Sequence, residues 1–162
     1  MAREVVERNA GTGGLVLVGI HRRGVELVDL LAEEIERSEG QKIPLGSLDI
    51  TLYRDDLSVI GPRPIIGSSD IPANIDGRAV VIVDDVCHTG RTIRAAMDHL
   101  ADFGRPARIY LCVLVDRGGR ELPIQPDFVG RHFDVLPSDD VAVLVPKEDG
   151  RLSVELRRTD SG

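Results

Sequence analysis

The sequence predicts an α/β protein with a mainly parallel sheet flanked by helices, and three observations predict it. Apolar, β-branched runs of strand length recur at residues 15–20, 80–83 and 108–115. Their unbroken hydrophobicity marks strands buried on both faces, the habit of parallel sheets. Amphipathic repeats stand between them: Val25, Val28, Leu31 and Ile35, then Ile93, Ala96, Met97 and Leu100. Alternation of strand and helix implies parallel pairing. Finally, the segments 21–24, 53–70, 84–92 and 116–120, all rich in Gly, Asp or Arg, each follow a strand. Ligands of such sheets bind beyond the carboxyl ends of the strands, so these loops can converge on one pocket.

The elements follow in order. Residues 2–9 read as the end of a helix broken by Asn9-Ala10-Gly11, and residues 15–20 as the first strand. His21-Arg22-Arg23-Gly24 is a tight basic turn, and the helix after it exposes Glu33, Glu34 and Glu36 and stops at Gly40. Leu48, Ile50 and Leu52 alternate with Asp49, Thr51 and Tyr53, the pattern of a strand with one polar face. Residues 54–70, broken by Pro and Gly, read as a long loop or hairpin of the kind that carries function. The strand at 80–83 ends in Asp84-Asp85, and the next helix is ended by Gly104-Arg105-Pro106. The strand at 108–115 runs into Asp116-Arg117-Gly118-Gly119-Arg120. Residues 141–145 and 152–156 form two short strands around Glu148-Asp149-Gly150. With 162 residues, no internal repeat and no linker, the chain is read as a single domain, 1–162.

Composition narrows the function. Hydrophobic residues make up 42% and charged residues 29%, ordinary for a globular domain. No apolar run reaches membrane-spanning length and no signal peptide precedes the first strand, so a cytoplasmic location with no membrane partner is expected. Cys87 and Cys112 make no disulfide framework. Cys112 belongs to a buried strand; Cys87 is a loop residue with no evident base to activate a thiolate. His21, His88, His99 and His132 lack metal-ligand spacing. A net charge of −7 argues against broad binding to nucleic acid, though a local basic patch stays open.

The chemistry concentrates in Val80-Val81-Ile82-Val83-Asp84-Asp85-Val86-Cys87-His88-Thr89-Gly90-Arg91-Thr92. The run reads as strand, acidic pair, small-residue turn and helix N-terminus. Turn amides and helix N-termini bind phosphate. Two carboxylates above such a cradle suit vicinal hydroxyls, hence a ribose 5-phosphate. An acidic pair after an apolar strand also occurs in nucleoside triphosphatases, but no Gly-x-x-x-x-Gly-Lys-Ser/Thr run is present. Plain turn and capping roles are the other alternative. Arg22 and Arg23 either bind pyrophosphate or decorate a turn.

This run resembles the 5-phosphoribosyl-1-pyrophosphate (PRPP) motif of type I phosphoribosyltransferases. The resemblance implies that fold, with residues 54–70 closing as a flexible hood that becomes protected when PRPP binds. It implies that Asp84 and Asp85 hold the ribose hydroxyls and favour an oxocarbenium-like transition state, with Arg23 as a further catalytic residue. Val86, Cys87, His88, Thr89, Gly90, Arg91 and Thr92 would form the phosphate loop. Arg22 and Arg23, and from the hood Arg63 or Arg54, would reach pyrophosphate, with a cis peptide between Arg22 and Arg23. Mg2+ would arrive on PRPP, needing no dedicated protein ligands.

Asp49-Ile50-Thr51-Leu52-Tyr53-Arg54-Asp55-Asp56-Leu57, Gly104-Arg105-Pro106, Val113-Leu114-Val115-Asp116-Arg117-Gly118, Arg120-Glu121-Leu122-Pro123 and Asp127-Phe128-Val129-Gly130 are similar to signatures of the PyrR family of pyrimidine-operon attenuation proteins. That family implies uracil as acceptor, UMP as product and Arg117 and Val141 beside the base. It also implies UMP-responsive binding of attenuator RNA and a homodimer or higher homo-oligomer. The chain departs from the pattern in several places. Little precedes Gly11, where the family has a longer helix. Arg22 stands for a Thr, Cys87-His88 for Leu-Tyr or Leu-Phe, Gly119 for a His and Gln125 for an Arg. Arg131-His132-Phe133-Asp134-Val135-Leu136-Pro137 replaces Lys-Asn-x-Pro-Thr-Ser. These last changes thin the basic surface expected to face RNA, leaving Arg105, Arg108, Arg120 and Arg131 as candidates for a local patch. Three readings therefore stand: an enzyme with RNA regulation, a nucleotide sensor with little catalysis, and a transferase for another base.

Overall fold

The computed structural model describes residues 1–53, 68–72 and 74–159. A five-stranded parallel sheet has the order β2-β1-β3-β4-β5, formed by Leu45–Leu48, Leu15–Ile20, Ala79–Cys87, Arg108–Asp116 and Phe128–His132. Helices α1 (Ala2–Arg8), α2 (Arg23–Glu39) and α3 (Arg91–Leu100) flank it. Strands β6 (Asp140–Leu144) and β7 (Ser153–Arg157) form a separate antiparallel pair, joined through the short helix α4 (Pro146–Asp149). Among the described residues no helix is long and apolar enough to cross a membrane.

Both faces of the sheet are packed, which explains the unbroken apolar strands. Leu15, Leu17, Val81 and Val83 face α1 and α2, with Val28, Leu31 and Ile35 of α2 closing that layer. Val16, Val18, Val80, Ile82 and Val113 face α3, meeting Ile93, Ala96 and Leu100. Each fully buried side chain of this size is worth roughly 1.5–3 kcal/mol against exposure. Two glycines let α2 start directly on the sheet. A Cβ at Gly19 would lie 2.5 Å from the Gly24 carbonyl oxygen, and one at Gly24 would lie 2.5 Å from the Val83 carbonyl oxygen. The basic turn is thereby held against the end of β3. At its far end α2 stops at Gly40, whose φ of 67° is left-handed.

Several boundaries differ from the sequence expectation. The second strand comes earlier, at Leu45–Leu48, and Thr51–Tyr53 form a 3-10 turn rather than continuing it. Asp49 is responsible: its Oδ1 accepts both the Thr51 N–H (2.9 Å) and the Thr51 hydroxyl (2.5 Å), an Asx-type turn that ends pairing and leaves Leu52 57% exposed. Strand β3 does not stop at the acidic pair but runs to Cys87. Each aspartate bonds forward, Asp84 Oδ1 to the Asp85 N–H (2.9 Å) and Asp85 Oδ1 to the Val86 N–H (2.8 Å). Val83 and Val86 consequently pack into the same cluster although three residues apart, so the pleat alternation lapses at the pair. Helix α2 starts at Arg23, two residues sooner than the basic turn allowed, and the cis peptide joins His21 and Arg22 rather than Arg22 and Arg23. Strand β5 was not anticipated. It is a half-exposed edge strand with Gly130 in its middle, and pairing with β4 rather than local pattern defines it.

Candidate active site

The carboxyl ends of β1 and β3 and the N-terminus of α3 open onto a cleft of about 390 Å³. Its lining includes His21, Arg22, Asp49, Thr51, Asp84, Asp85, Val86 and Thr92. The acidic pair, one arginine of the basic turn and the first turn of α3 therefore share one space, as the sequence required. Asp84 is 6% exposed and so belongs to the buried interior, where a strand-end position outside the core was expected. Burial, and next the charge of Asp85, push the Asp84 carboxyl well above the usual carboxylate range. Asp84 is thus the member of the pair disposed to keep a proton.

The expected phosphate loop is folded by its own short-range bonds and by the 116–124 segment. Gly90 is the N-cap of α3 with φ 93°, a left-handed position suited to glycine. A Cβ there would also come within 3.3 Å of Ile124. Thr89 Oγ1 accepts the Arg91 N–H (3.3 Å), and the Thr89 carbonyl accepts the N–H groups of Glu121 and Leu122 (2.9 and 3.1 Å). The Arg91 guanidinium lies 2.7 Å from Glu121. Cys87 is the buried last residue of β3 rather than a loop residue, and burial pushes its thiol up to about 11, so it is no ready nucleophile. His88 follows it. Burial first, then the charges of Arg117 and Arg120, lower the His88 pKa and favour the neutral imidazole.

The two arginines of the basic turn part company. Arg22 lines the cleft and lies 3.8 Å from Glu148. Arg23, the expected catalytic arginine, is not among the cleft-lining residues. Its Nε and Nη2 donate to the two carboxylate oxygens of Asp149 at 3.1 and 2.9 Å. Asp149 also accepts the Val145 N–H (2.8 Å), and the Arg23 bond holds its carboxyl below the usual range. Because α2 starts at Arg23, that side chain leaves from the first helical turn toward α4. Nearby, buried Glu26 accepts the Lys147 N–H (2.9 Å) and Lys147 Nζ donates to Asp29 (3.1 Å), so with Arg23–Asp149 α4 is docked on α2 at three points among the described residues.

Arg117 and Val141 lie apart from the cleft lining. The Arg117 side chain is 7% exposed, its Nη2 donates to the Leu136 carbonyl (3.4 Å), its Nη1 is 4.0 Å from Asp140, and its Nε is buried with no hydrogen-bond partner among the described residues. Val141 is buried in the core beside Asp140. Arg54 and Arg63, and residues 54–67 of the expected hood, fall outside the described residues.

Sequence reasoning missed the residue that organises this side. Arg120, expected as a surface contact for RNA, turns inward: it donates to Asp116 (2.8 Å), to the Ile124 carbonyl (2.7 Å) and to the His88 carbonyl (2.9 Å). Burial works to raise the Asp116 carboxyl, but the bonds from Arg120 and the Gly118 N–H outweigh it and hold it below the usual range. Its i,i+4 spacing from Asp116 was the available signal. Outside the cleft lining, His99 of α3 hydrogen-bonds Ser69 Oγ (2.8 Å) and stacks on Tyr53 with centroids 4.3 Å apart. Ser69 Oγ in turn accepts the Asp49 N–H (2.9 Å), tying α3 to the Asp49–Thr51 wall.

Comparison with known proteins agrees with this geometry. The phosphoribosyl transferase domain family matches residues 1–147. "Bifunctional protein PyrR" of Thermus thermophilus is 56% identical over 156 residues, 96% of this chain and 86% of that protein. The Deinococcus radiodurans protein of the same name is 48% identical over 156 residues, 96% of this chain and 85% of that protein. Among solved structures, the hypoxanthine phosphoribosyltransferase of Trypanosoma cruzi matches with a TM-score of 0.71 at 19% identity, covering 98% of this chain and 88% of that one, and so shares the fold. With the acidic pair, the turn into α3 and the parallel sheet arranged as described, the chain belongs to the phosphoribosyl transferase domain family and, within it, to the PyrR proteins.

Proposed function

We propose that this protein transfers the phosphoribosyl group of PRPP to uracil, forming UMP and pyrophosphate, and that UMP in turn promotes its binding to attenuator RNA in the cytoplasm. One observation carries the catalytic half: Asp84, Asp85, Arg22 and Thr92, from three different elements, line a single cleft at the carboxyl end of a parallel sheet. Thr92 and the turn before it accept the 5-phosphate at the α3 N-terminus. Asp84 and Asp85 hold the ribose hydroxyls. As the bond from the anomeric carbon to pyrophosphate breaks and the bond to the base nitrogen forms, positive charge grows on the ring, and whatever negative charge the acidic pair retains beside its one held proton is most stabilising in that state. Arg22 faces the departing pyrophosphate. The nitrogen proton leaves with the reaction, so net charge is conserved.

The donor set suits Mg2+, which takes oxygen ligands, and Asp84 and Asp85 are the residues that would face it. Among the described residues no group of three or more His, Cys, Asp or Glu is gathered to hold a metal ion by itself. A Mg2+ ion carried by PRPP would neutralise charge on the leaving pyrophosphate.

The test is pyrophosphate release with PRPP, Mg2+ and each nucleobase in turn. Release with uracil is the expected result, and release with none of them overturns the catalytic reading. Binding of a pyrimidine-operon leader RNA with and without UMP tests the regulatory half.

A further inference from the structure

We propose that His99 is a positioning residue for the transfer reaction: through Ser69 and Tyr53 it fixes the Asp49–Tyr53 turn that walls the cleft. This rests on the phosphoribosyltransferase reading above and deepens it. Asp49, Ile50 and Thr51 of that turn line the cleft beside Asp84 and Asp85. The turn belongs to no strand, so its place depends on what grips it from outside.

One imidazole grips it at both ends. At the first end, His99 Nε2 lies 2.8 Å from Ser69 Oγ, which accepts the Asp49 N–H at 2.9 Å. At the last, the His99 ring stacks on Tyr53, the planes 28° from parallel. Asp102 aligns both rings: its Oδ2 accepts the Tyr53 hydroxyl and lies 3.4 Å from His99 Nδ1. A carboxylate only accepts, so the nitrogen facing it carries the proton, and in the neutral ring Nε2 is left to accept from the Ser69 hydroxyl. The bonds then run in one direction, from the Asp49 N–H through Ser69 and His99 to Asp102. Such a chain reinforces itself. Phe103 meets the ring edge-on at 5.2 Å, and the His99 side chain is only 14% exposed, which leaves little room for water to replace its bond. Ser69 is fixed in turn, because its neighbour Asp70 exchanges both backbone hydrogen bonds with Ser47 of β2 (2.7 and 2.9 Å). Helix α3 supplies the register. Thr92, which lines the cleft, and His99 stand two turns apart on one helix face, roughly 10 Å. The helix that presents its N-terminus to the phosphate therefore also sets the position of the wall.

The experiment compares the natural protein with His99→Ala, Ser69→Ala, the double variant and His99→Gln, whose amide can still bond Ser69. KM and kcat for PRPP with uracil are read beside hydrogen exchange of the turn. The N–H groups of Asp49, Thr51 and Tyr53 report directly, being bonded to Ser69, Asp49 and Ile50. His99→Ala should raise the KM for PRPP about tenfold, more than it changes kcat or the KM for uracil. It should speed exchange at these three amides while the strands keep their protection. Ser69→Ala should act in the same direction, and the double variant should go no further than the larger single effect. His99→Gln should recover most of the KM. Calorimetric affinity for PRPP with Mg2+ replaces KM in any variant that does not turn over, and Ser69→Ala carries the same expectation if His99→Ala does not fold. Exchange unchanged in His99→Ala overturns the proposal whatever the activity. Faster exchange with an unchanged KM makes His99 a merely structural residue and also overturns it. Additive effects of the two substitutions overturn the route through Ser69. Failure of the natural protein both to convert any base and to bind PRPP overturns the reading on which the proposal rests.

Discussion

The half of the site proposed to hold the ribose phosphate and the half proposed to hold the base are built in opposite ways. The first is nearly one stretch of chain: the end of β3, one turn and the start of α3, residues 84–92, joined by Arg22 from the neighbouring strand end. The second is assembled from pieces far apart in sequence, with His88 against Gly119, Arg117 against Leu136 and Asp140, and Arg120 holding three segments at once. A contiguous half can be specified by local spacing and positioned by a strand buried on both faces. A scattered half depends on loops pinning each other, so its shape changes when any one of them does. The first half is suited to a constant group, the phosphorylated sugar, and the second to a variable one, the base.

The largest expected effect falls on the contiguous half. Asp84→Asn with Asp85→Asn should reduce uracil turnover by at least about 10³-fold, the scale of losing preorganised electrostatic stabilisation, while circular dichroism stays native. Asp84 adds a stability signature. Its folded-state pKa is raised above the unfolded value, so its contribution is complete below about pH 4 and is lost as pH rises through the folded value. The melting temperature of the natural protein should fall across that rise. Asp84→Asn should not show that fall and should melt higher at pH 7. Parallel pH–melting curves for the two proteins would mean that Asp84 is not held protonated by its surroundings, and unchanged turnover in the double variant would remove the central assignment.

The same contrast explains what was legible from sequence. The acidic pair, the Thr-Gly turn, the strands β1, β3 and β4 and the two long helices follow from local pattern, and the structure has them, with shifts of at most a few residues at their ends. What escaped were relations between distant residues. Nothing local tells that Arg23 meets Asp149, 126 positions away, while its neighbour Arg22 faces the cleft. Nor does local pattern reveal that residues 88 and 119 touch. The turn after β2 was misread for a different reason: apolar alternation continued past Asp49, but its side-chain bonds to Thr51 overrode the strand pattern.

Arg120→Met is the second test, aimed at the scattered half. It would leave the nearly buried Asp116 carboxylate without its main partner and release the His88 and Ile124 carbonyls. A loss of about 2–3 kcal/mol in unfolding free energy is expected. The KM for uracil should rise several-fold more than the KM for PRPP. Equal rises would show that the two halves do not separate energetically.

A smaller effect distinguishes the two arginines of the basic turn. Arg22→Ala should raise the KM for PRPP about tenfold, in line with loss of one charge-assisted contact, with little change in melting temperature. Arg23→Ala should do the reverse, lowering the melting temperature by undocking α4 while KM moves less. If Arg23→Ala instead matches Arg22→Ala in KM and leaves melting unchanged, then Arg23 leaves Asp149 to meet substrate and belongs with the catalytic residues.

The smallest effect concerns RNA, where the structure divides what the sequence grouped. Arg120 is committed inward. Arg108 begins β4 opposite Ala79, whereas Arg131 pairs with Val115 near the other end of the sheet. Seven residues of strand at about 3.3 Å each separate those levels by roughly 23 Å. Arg105 stays with Arg108, in the loop just before β4. The candidates therefore form two weak patches at opposite ends rather than one, on a chain of net charge −7. Each phosphate contact contributes about 0.9 to the slope of log affinity against log salt, so that slope should be shallow and the affinity modest. Arg131→Ala, at the end of the sheet that carries the active site, should reduce the UMP-dependent part of the affinity. Arg105→Ala and Arg108→Ala, at the far end, should reduce only the part that is independent of UMP. That division follows from linkage: a nucleotide bound at one end of the sheet favours RNA only through groups whose arrangement it alters. Filter binding at two salt concentrations, with and without UMP, reads both terms. Tight binding with a steep slope and no response to UMP would show that the RNA surface lies elsewhere and is independent of the base half of the site.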